Sequence, residues 1–303
     1  RSFHVTGVQT CALPISFIDT HIHPIGGEMT DVAGVDSYNP ANHPKIEQFI
    51  LGQMEQAGVA MSLLSMGNDV GFKDAAKDPG GARKINEMLA KMASNHPGKL
   101  KFFACLPMPD MDACIKEIDY GMNVLGAIGV SLFTGFNEKW MGDPMYAPLF
   151  TELNRRKVAV KVHPRVAPCC NVKDFPSGLM ELGNDTARAI SRMLMTGSAE
   201  KYPDMHIIWS HAGGALLGQV QRSTGYIADD PKVAAAMPKG ADYYLKRFYY
   251  DVAQAYHPAT LSALKALVPI SNIFFGTDLP HRTQLESREG LERSRVFTAE
   301  ELK

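Results

Sequence analysis

The sequence of 303 residues predicts an α/β protein of the (β/α)8 type, the TIM barrel. Eight short runs of β-branched and aromatic residues alternate with longer segments of helical spacing from residue 17 onward. With 45% hydrophobic and 21% charged residues, the chain can bury a core of that size. An open doubly wound sheet is the alternative, but no Gly-x-Gly-x-x-Gly motif follows an early strand.

The predicted elements follow one another without a linker or an internal repeat. The strand candidates are residues 17–21, 60–65, 100–105, 128–133, 158–162, 206–210, 248–251 and 273–276. The helical candidates are residues 45–57, 81–95, 111–123, 145–156, 179–201, 215–222 and 258–267, and Pro or Gly often marks their edges. Residues 26–42 are predicted to form an irregular insertion after the first strand, which on a barrel would lie over the active face.

Composition excludes several classes of partner. The formal net charge is -1 and no basic run occurs, so neither a nucleic acid nor an anionic membrane is expected as a partner. No window approaches the ~18 uninterrupted apolar residues of a membrane span. The five cysteines form no regular framework, which fits reduced thiols and a cytoplasmic location. The adjacent Cys169 and Cys170 could bind a soft metal, but no Cys-x-x-Cys motif accompanies them.

The two ends of the chain differ from the barrel pattern. Residues 5–15 look like the translation of a common sequencing-adaptor oligonucleotide, and they lack the basic start and apolar core of a signal peptide. We therefore expect residues 1–16 to be an artefact or a poorly packed tail. The barrel domain is expected to span residues 17–303 and to be truncated at its C-terminus, because the last residues read as the opening of a helix.

Polar residues gather at the predicted carboxyl ends of strands, where TIM-barrel enzymes place their chemistry. In residues 17–24, Phe-Ile-Asp-Thr-His-Ile-His-Pro, strand alternation puts Asp19, His21 and His23 on one face. Strand one ends in His21 and His23, strand five in His163, strand six in His211 and strand eight in Asp278. Three imidazoles and one carboxylate suit Zn²⁺ or a similar divalent ion, with one coordination position left open. A pair of structural histidines is the alternative for the first strand taken alone.

These motifs resemble those of the metal-dependent amidohydrolase-related proteins, a family that includes aminocarboxymuconate semialdehyde decarboxylase and 6-methylsalicylate decarboxylase. The resemblance runs from residue 17 to the C-terminus through Asp19-x-His21-x-His23, His163-Pro164, Asn184-Asp185-Thr186-Ala187-Arg188-Ala189, Ser210-His211-Ala212-Gly213-Gly214, Tyr249-Tyr250-Asp251 and Gly276-Thr277-Asp278-x-Pro280. It implies a metal-dependent hydrolase type of barrel whose metal ligands are His21, His23, His163 and Asp278. It also implies that His211 lies near the metal-bound water or the substrate. The family includes hydrolases and hydratases, so the resemblance alone leaves the reaction open.

A single metal ion is expected. Binuclear amidohydrolases bridge two metals with a carboxylated lysine at the end of the fourth strand, whereas residues 127–133 contain no lysine. Lys161, two residues before His163, is predicted to face the barrel interior one layer below that ligand, although an outward orientation is the alternative. Asp19 stands in the same relation to His21, so we expect Asp19 and Lys161 to form a buried ion pair. Zn²⁺ is the expected ion, with Mn²⁺ as the alternative.

The expected reaction is the non-oxidative decarboxylation of a small aromatic or unsaturated carboxylate, such as a salicylate-like acid. His211 or Asp278 would deliver a proton to the carbon that bears the carboxylate, and the metal would lower the cost of the developing charge. The alternative is hydrolysis of a lactone or an amide, with Asp278 as general base. A non-catalytic barrel is disfavoured because every ligand type is present.

The arginines bear on the substrate and on the oligomeric state. No arginine occurs between residues 2 and 82. Family members that act on dicarboxylates resemble this chain but carry arginines around the first helix, so a ring monocarboxylate is expected here. Arg222 matches a family position that reaches into the neighbouring active site, which implies a homodimer; the alternative is a solvated arginine at a helix C-terminus. Arg165 is the alternative within the same chain for binding the negative charge of the substrate. His281 is expected to line the pocket.

Overall fold

The computed structural model describes residues 17–67 and 80–302. Its strands are β1 (Phe17–Ile22), β2 (Val59–Leu64), β3 (Leu100–Cys105), β4 (Gly129–Phe133), β5 (Gly135–Phe136), β6 (Lys139–Trp140), β7 (Ala159–His163), β8 (His206–Trp209), β9 (Tyr249–Asp251) and β10 (Ile273–Phe274). Its α-helices are α1 (Gly27–Ala33), α2 (His43–Ala57), α3 (Gly81–Asn95), α4 (Met111–Asp119), α5 (Ala147–Arg155), α6 (Glu181–Met195), α7 (Ser198–Lys201), α8 (Val220–Asp229), α9 (Pro231–Ala236), α10 (Ala241–Arg247), α11 (Pro258–Leu267) and α12 (Gln284–Ser294). The expected tail, residues 1–16, lies outside the described residues.

Eight of these strands form one parallel sheet in the order β1-β2-β3-β4-β7-β8-β9-β10. The sheet closes on itself because Ile22 forms a parallel bridge with Leu279. The backbone N–H of Thr20 also donates to the carbonyl of Phe275 at 3.0 Å. Helices connect the successive strands, so the predicted (β/α)8 barrel is confirmed.

The strands are buried on both faces, as expected for a parallel barrel. In β7, Val160 and Val162 are fully buried and alternate with Lys161 and His163, which are also buried. Alternation therefore sends the two valines toward the helices and the two polar side chains into the barrel. Within the parts of the chain that the structure describes, no helix has the length and apolar character needed to cross a membrane.

The predicted strands all occur, and their ends differ from the observed ones by no more than two residues. The predicted helices 81–95 and 258–267 coincide with α3 and α11. The insertion at residues 26–42 is more regular than predicted, since it contains α1, which ends at Gly34 in the left-handed conformation with φ 65°. The hairpin of β5 and β6 was not predicted, because two-residue strands are too short to show a periodicity.

Two helical predictions have the wrong boundaries. Predicted helix 179–201 is divided into α6 and α7 by Gly197, whose φ of 70° places it in the left-handed region. Predicted helix 215–222 is a 3-10 segment as far as Gln219, and α8 begins only at Val220. The C-terminal residues 299–302 form turns with the hydrogen bonds of a helix start, because the N–H of Glu301 donates to Oγ1 of Thr298 at 3.2 Å and the N–H of Leu302 donates to the carbonyl of Thr298 at 3.1 Å.

Candidate metal centre

Four polar side chains converge at the carboxyl-terminal rim of the barrel. They are His21 from β1, His23 just after that strand, His163 from the end of β7, and Asp278 from the loop after β10. All four are buried, and each offers one ligand atom within 4.8 Å of the others. The structure therefore brings together the four residues that the sequence predicts as metal ligands.

Hydrogen bonds fix the orientation of the three imidazoles. Nδ1 of His23 lies 3.1 Å from the carbonyl of Ser65, and Nδ1 of His163 lies 2.9 Å from the carbonyl of Pro164. Nδ1 of His21 lies 3.0 Å from the carboxylate of Asp251 and 3.1 Å from Nζ of Lys161. Because the two carbonyls and the carboxylate are acceptors, they favour ring protons on Nδ1, which leaves the Nε2 lone pairs available to the centre.

The atoms that face one another at the centre are electron-pair donors. Nε2 of His21 and Nε2 of His23 are 3.0 Å apart. Oδ1 of Asp278 lies 2.9 Å from Nε2 of His23 and 3.2 Å from Nε2 of His21, yet this buried oxygen has no hydrogen-bond partner. Lone pairs at such distances repel unless a cation lies among them. The donor set thus fits a divalent ion of the Zn²⁺ or Mn²⁺ type.

The electrostatics of these residues also favour a cation. Burial lowers the pKa of His163 well below its usual value, and His23 and His21 lower it further. Burial alone would raise the pKa of Asp278, but His21 and His23 outweigh it and hold that pKa well below its usual value. The centre therefore offers a neutral imidazole beside an ionised carboxylate, which are the protonation states that metal ligands need.

Close backbone approach leaves no room for larger residues beside two of the ligands. A Cβ on Gly67 would lie 2.7 Å from the ring of His23. A Cβ on Gly276 would lie 3.1 Å from Cβ of His21 and 3.0 Å from Cβ of Asp251. Glycine is therefore required for packing at both positions.

His211 lies beside the four ligands, in the turn that follows β8. Its ring centroid is 5.0 Å from that of His21 and 5.8 Å from that of His163. Its Nδ1 lies 2.9 Å from the carbonyl of Ala253, so that its Nε2 is the ring nitrogen left for a substrate. Burial lowers the pKa of His211, whereas the negative charge of Asp278 raises it.

Comparison with known proteins gives the same assignment as the motifs. The family model described as Amidohydrolase matches residues 18–303. The chain belongs to the amidohydrolase family. The predicted family is thereby confirmed.

Curated relatives of this amidohydrolase are decarboxylases by name. It is 30% identical over 275 residues to the 6-methylsalicylic acid decarboxylase of Penicillium expansum, a match that covers 87% of this chain and 85% of that protein. It is 24% identical over 241 residues to a gamma-resorcylate decarboxylase of Rhodococcus jostii (strain RHA1), with 73% of each chain covered.

Solved structures share the fold of this amidohydrolase. A crystal structure of an amidohydrolase II superposes with a TM-score of 0.81 at 24% identity, covering 95% of each chain. A dihydroxybenzoic acid decarboxylase from Polaromonas sp. JS666, solved with bound manganese and the inhibitor 2-nitroresorcinol, gives a TM-score of 0.79 at 22% identity, covering 95% of this chain and 93% of that one.

The prediction for Lys161 is correct in its burial and wrong in its partner. Its side chain is fully buried inside the barrel, as expected. However, Nζ forms an ion pair with the carboxylate of Asp251 and also donates to Oγ of Ser210 at 3.0 Å. Asp19 does not pair with it: its carboxylate accepts from Oγ1 of Thr277 and from other neutral donors.

Distance across the barrel does not account for this difference, because Nζ of Lys161 lies 3.1 Å from Nδ1 of His21 on β1. The carboxylate of Asp19 is instead occupied by the donors from Thr277 and Gln284. The seventh barrel strand, β9, lies between β1 and β7 and contributes to the same alternate-strand layer. Asp251 at the end of β9 can therefore contact both Lys161 and His21. Because Asp19 lacks a cationic partner, burial raises its pKa to about 6.

Two functional candidates were missed from the sequence. Asp251 contacts a ligand imidazole, and the side chain of Gln254 donates to Oδ2 of Asp278 at 2.5 Å. The signal for Asp251 was present, because it ends a predicted strand just as His163 does. Gln254 lies in an irregular loop, and its spacing in the sequence gives no comparable signal.

The other predicted site residues lie at different distances from this rim. His281 is exposed and lines a small recess with His23, Met29 and Pro280. Arg165 lies over the ring of Phe136, 5.0 Å from its centroid, and lines a separate pocket of about 260 Å³.

Arg222 is exposed and lines a surface groove on the outside of the barrel with Tyr226 and Met195. It is in the first turn of α8, not at a helix C-terminus. A cation there gains nothing from the helix dipole, so the alternative explanation for Arg222 loses its physical basis.

Proposed function

We propose that this amidohydrolase is a metal-dependent, non-oxidative decarboxylase of a small, salicylate-like aromatic acid. The observation that carries the proposal is the convergence of four ligand atoms within 4.8 Å of one another, with His211 beside them. The names of the relatives favour decarboxylation over hydrolysis of a lactone or an amide, since the proteins from Penicillium expansum and Rhodococcus jostii are both decarboxylases of aromatic acids.

One divalent ion would be held by Nε2 of the three histidines and by Oδ1 of Asp278. The ion would supply Lewis-acid stabilisation of the negative charge that develops as the carboxylate leaves. Mn²⁺ and Zn²⁺ both suit this donor set, and the Polaromonas relative was solved with manganese. Lys161, whose Nζ is paired with Asp251, is not placed to bridge a second ion, in keeping with a mononuclear centre.

His211 is the residue proposed to transfer the proton. The carbonyl of Ala253 holds its Nδ1–H, so that the doubly protonated imidazolium delivers its Nε2 proton to the ring carbon bearing the carboxylate. The new carbon–hydrogen bond uses an electron pair of the ring's π system. When the carbon–carbon bond then breaks, its electron pair returns to that π system and carbon dioxide leaves. Asp278 is less suited to this task because its Oδ1 faces the imidazoles and its Oδ2 accepts from Gln254.

The substrate would enter through the recess at the end of β1. Ile25 and Met29 are buried in its wall and offer an apolar surface to an aromatic ring, whereas His281 is exposed at its edge. For the substrate's remaining charge we propose Arg222 of a second subunit in a homodimer, with Arg165 as the alternative within the chain. The exposed Arg222, beside an exposed Tyr226, is compatible with a subunit contact on this surface.

A substrate panel tests the proposal. The purified protein, loaded with Mn²⁺ or Zn²⁺ in parallel, is incubated with salicylate-type acids and with a set of lactones and amides. We expect carbon dioxide and the corresponding phenol from at least one acid, and no hydrolysis. Hydrolysis of a lactone or an amide without carbon dioxide release from any acid would show that the alternative is correct.

A further inference from the structure

The carboxylate of Asp251 is shared between a metal ligand and the catalytic histidine. The side chain is fully buried. Its Oδ2 lies 3.0 Å from Nδ1 of His21 and pairs with Nζ of Lys161. Its Oδ1 accepts from the backbone N–H groups of His211 and Ala253, both at 3.0 Å. All of its neighbours are donors, so one ionised group connects the ligand on β1 with the turn that holds His211.

The His211 turn needs such support because its backbone is strained. His211 and Ala212 have φ values of 54° and 57°, in the left-handed region that non-glycine residues rarely adopt. Lys161 also supports this turn, because Nζ donates to Oγ of Ser210 at 3.0 Å. Ser210 in turn donates to the carbonyl of Val162 at 2.5 Å. Asp251 and Lys161 thus hold the turn at two consecutive residues.

A carboxylate can only accept hydrogen bonds, and this favours one tautomer of His21. Nδ1 of His21 faces Oδ2 of Asp251 and also lies 3.1 Å from Nζ of Lys161, which is itself paired with that carboxylate. A ring proton on Nδ1 is the one that Oδ2 can accept, and it leaves the Nε2 lone pair for the metal site. An amide in the same place would turn an NH₂ group toward either His21 or the two backbone N–H groups. In either case a donor would face a donor, so an Asp251→Asn chain cannot reproduce both sets of contacts.

We propose that Asp251, paired with Lys161, is a positioning residue that fixes the His21 imidazole for metal binding and the His211 turn for proton transfer at the same time. This inference rests on the proposed function and extends it to two residues that touch neither metal nor substrate. Lys161 balances the buried negative charge and also contacts the turn through its hydrogen bond to Ser210.

Asp19 provides a matched control. It is equally buried and accepts hydrogen bonds from Oγ1 of Thr277 at 2.6 Å and from Nε2 of Gln284 at 2.7 Å. It also accepts the backbone N–H of His21 at 3.0 Å, but it contacts no imidazole ring. Asp19→Asn therefore makes the same isosteric change in the same barrel layer without affecting a ring tautomer.

The test compares Asp251→Asn, Asp19→Asn and the parent chain by calorimetric titration of Mn²⁺ and by kcat and KM at saturating Mn²⁺. We expect Asp251→Asn to bind Mn²⁺ about 10- to 100-fold more weakly, the usual scale for loss of a partner of a ligand histidine. At saturating Mn²⁺ its kcat should still fall by roughly 100-fold because His211 is displaced, with KM changed much less. Asp19→Asn should retain the affinity of the parent chain for Mn²⁺.

Two results would overturn the inference: equal Mn²⁺ affinity in Asp251→Asn and the parent, or equal losses in both variants, which would indicate general loosening of the barrel. Should Asp251→Asn not fold, the double variant Lys161→Met/Asp251→Asn removes both buried charges together and is expected to show the same loss of affinity. A failure of the proposed function is recognised separately, because the parent would then bind no Mn²⁺ or release no carbon dioxide.

Discussion

The two rims of the barrel contain different kinds of residue. At the carboxyl-terminal rim, buried imidazoles and carboxylates converge, and His211 and Asp278 adopt left-handed backbone conformations, with φ of 54° and 66°. At the opposite rim, Leu63, Phe103 and Ile208 pack together and line an apolar cavity of about 470 Å³. Buried imidazoles and carboxylates thus gather at one rim, and apolar side chains pack at the other. Substitutions at the first should mainly reduce turnover, and substitutions at the second should mainly reduce stability.

The largest loss of turnover is expected from replacing His21 and His23 together by Ala. The change removes two of the four donors at the centre, so both metal retention and decarboxylation should be abolished. Elemental analysis of the parent and the variant, purified side by side, measures the metal. Retention of one ion by the variant, or two ions per parent chain, would contradict the assignment of these ligands.

A smaller but still large loss is expected from His211→Ala at the same rim. Because His211 lies beside the four proposed ligands and is proposed to transfer the proton, the variant should keep its metal and lose activity by roughly two to four orders of magnitude, the scale of one acid or base. Single-turnover release of carbon dioxide, with metal content measured on the same sample, provides the check. Loss of the metal in this variant would make His211 a ligand.

A moderate loss of turnover is expected from Arg222→Ala. Arg222 does not lie at the carboxyl-terminal rim of its own barrel, because it lines a surface groove. Losing one charge-assisted contact to a substrate carboxylate costs about 1.5–3 kcal/mol, or roughly 10- to 100-fold in kcat/KM. Mixing this chain with the His21→Ala/His23→Ala chain decides whether Arg222 acts in the partner's site. If it does, mixed dimers regain activity in one of their two sites. No recovery after verified subunit exchange would leave Arg165 as the better candidate.

The sequence predicted most of the barrel and the ligands because both depend on local patterns. Runs of β-branched residues mark each strand, and strand ends in a parallel barrel meet at one rim, so that His21, His163 and Asp278 could be grouped without coordinates. What escaped prediction is which buried side chains pair inside the barrel. The burial of Lys161 inside the barrel was predicted correctly. However, the sharing of layers by alternate strands does not specify which of those strands supplies its carboxylate partner, here Asp251.

Short elements and one helix boundary were beyond prediction for a different reason. The hairpin of β5 and β6 has only two residues in each strand, which are too few to show the alternation of side chains that identifies a strand. The start of α8 was misplaced because Val220 follows a glycine-rich turn whose left-handed residues include Ala212, a residue type that gives no turn signal. The position of Arg222 depended on that boundary.

The smallest effect on turnover is expected at the opposite rim, where Phe103→Ala is the sharpest test of the comparison. Phe103 is 1% exposed and packs with Leu63 and Ile208 inside the barrel. Its truncation should lower the free energy of unfolding by about 3–5 kcal/mol, whereas Phe103→Leu, which keeps most of the volume, should cost less than about 1.5 kcal/mol. Urea unfolding measures both. Because no ligand contacts this cluster, metal content and kcat per folded molecule should equal those of the parent, and a loss of metal in Phe103→Ala would show that the two rims are coupled.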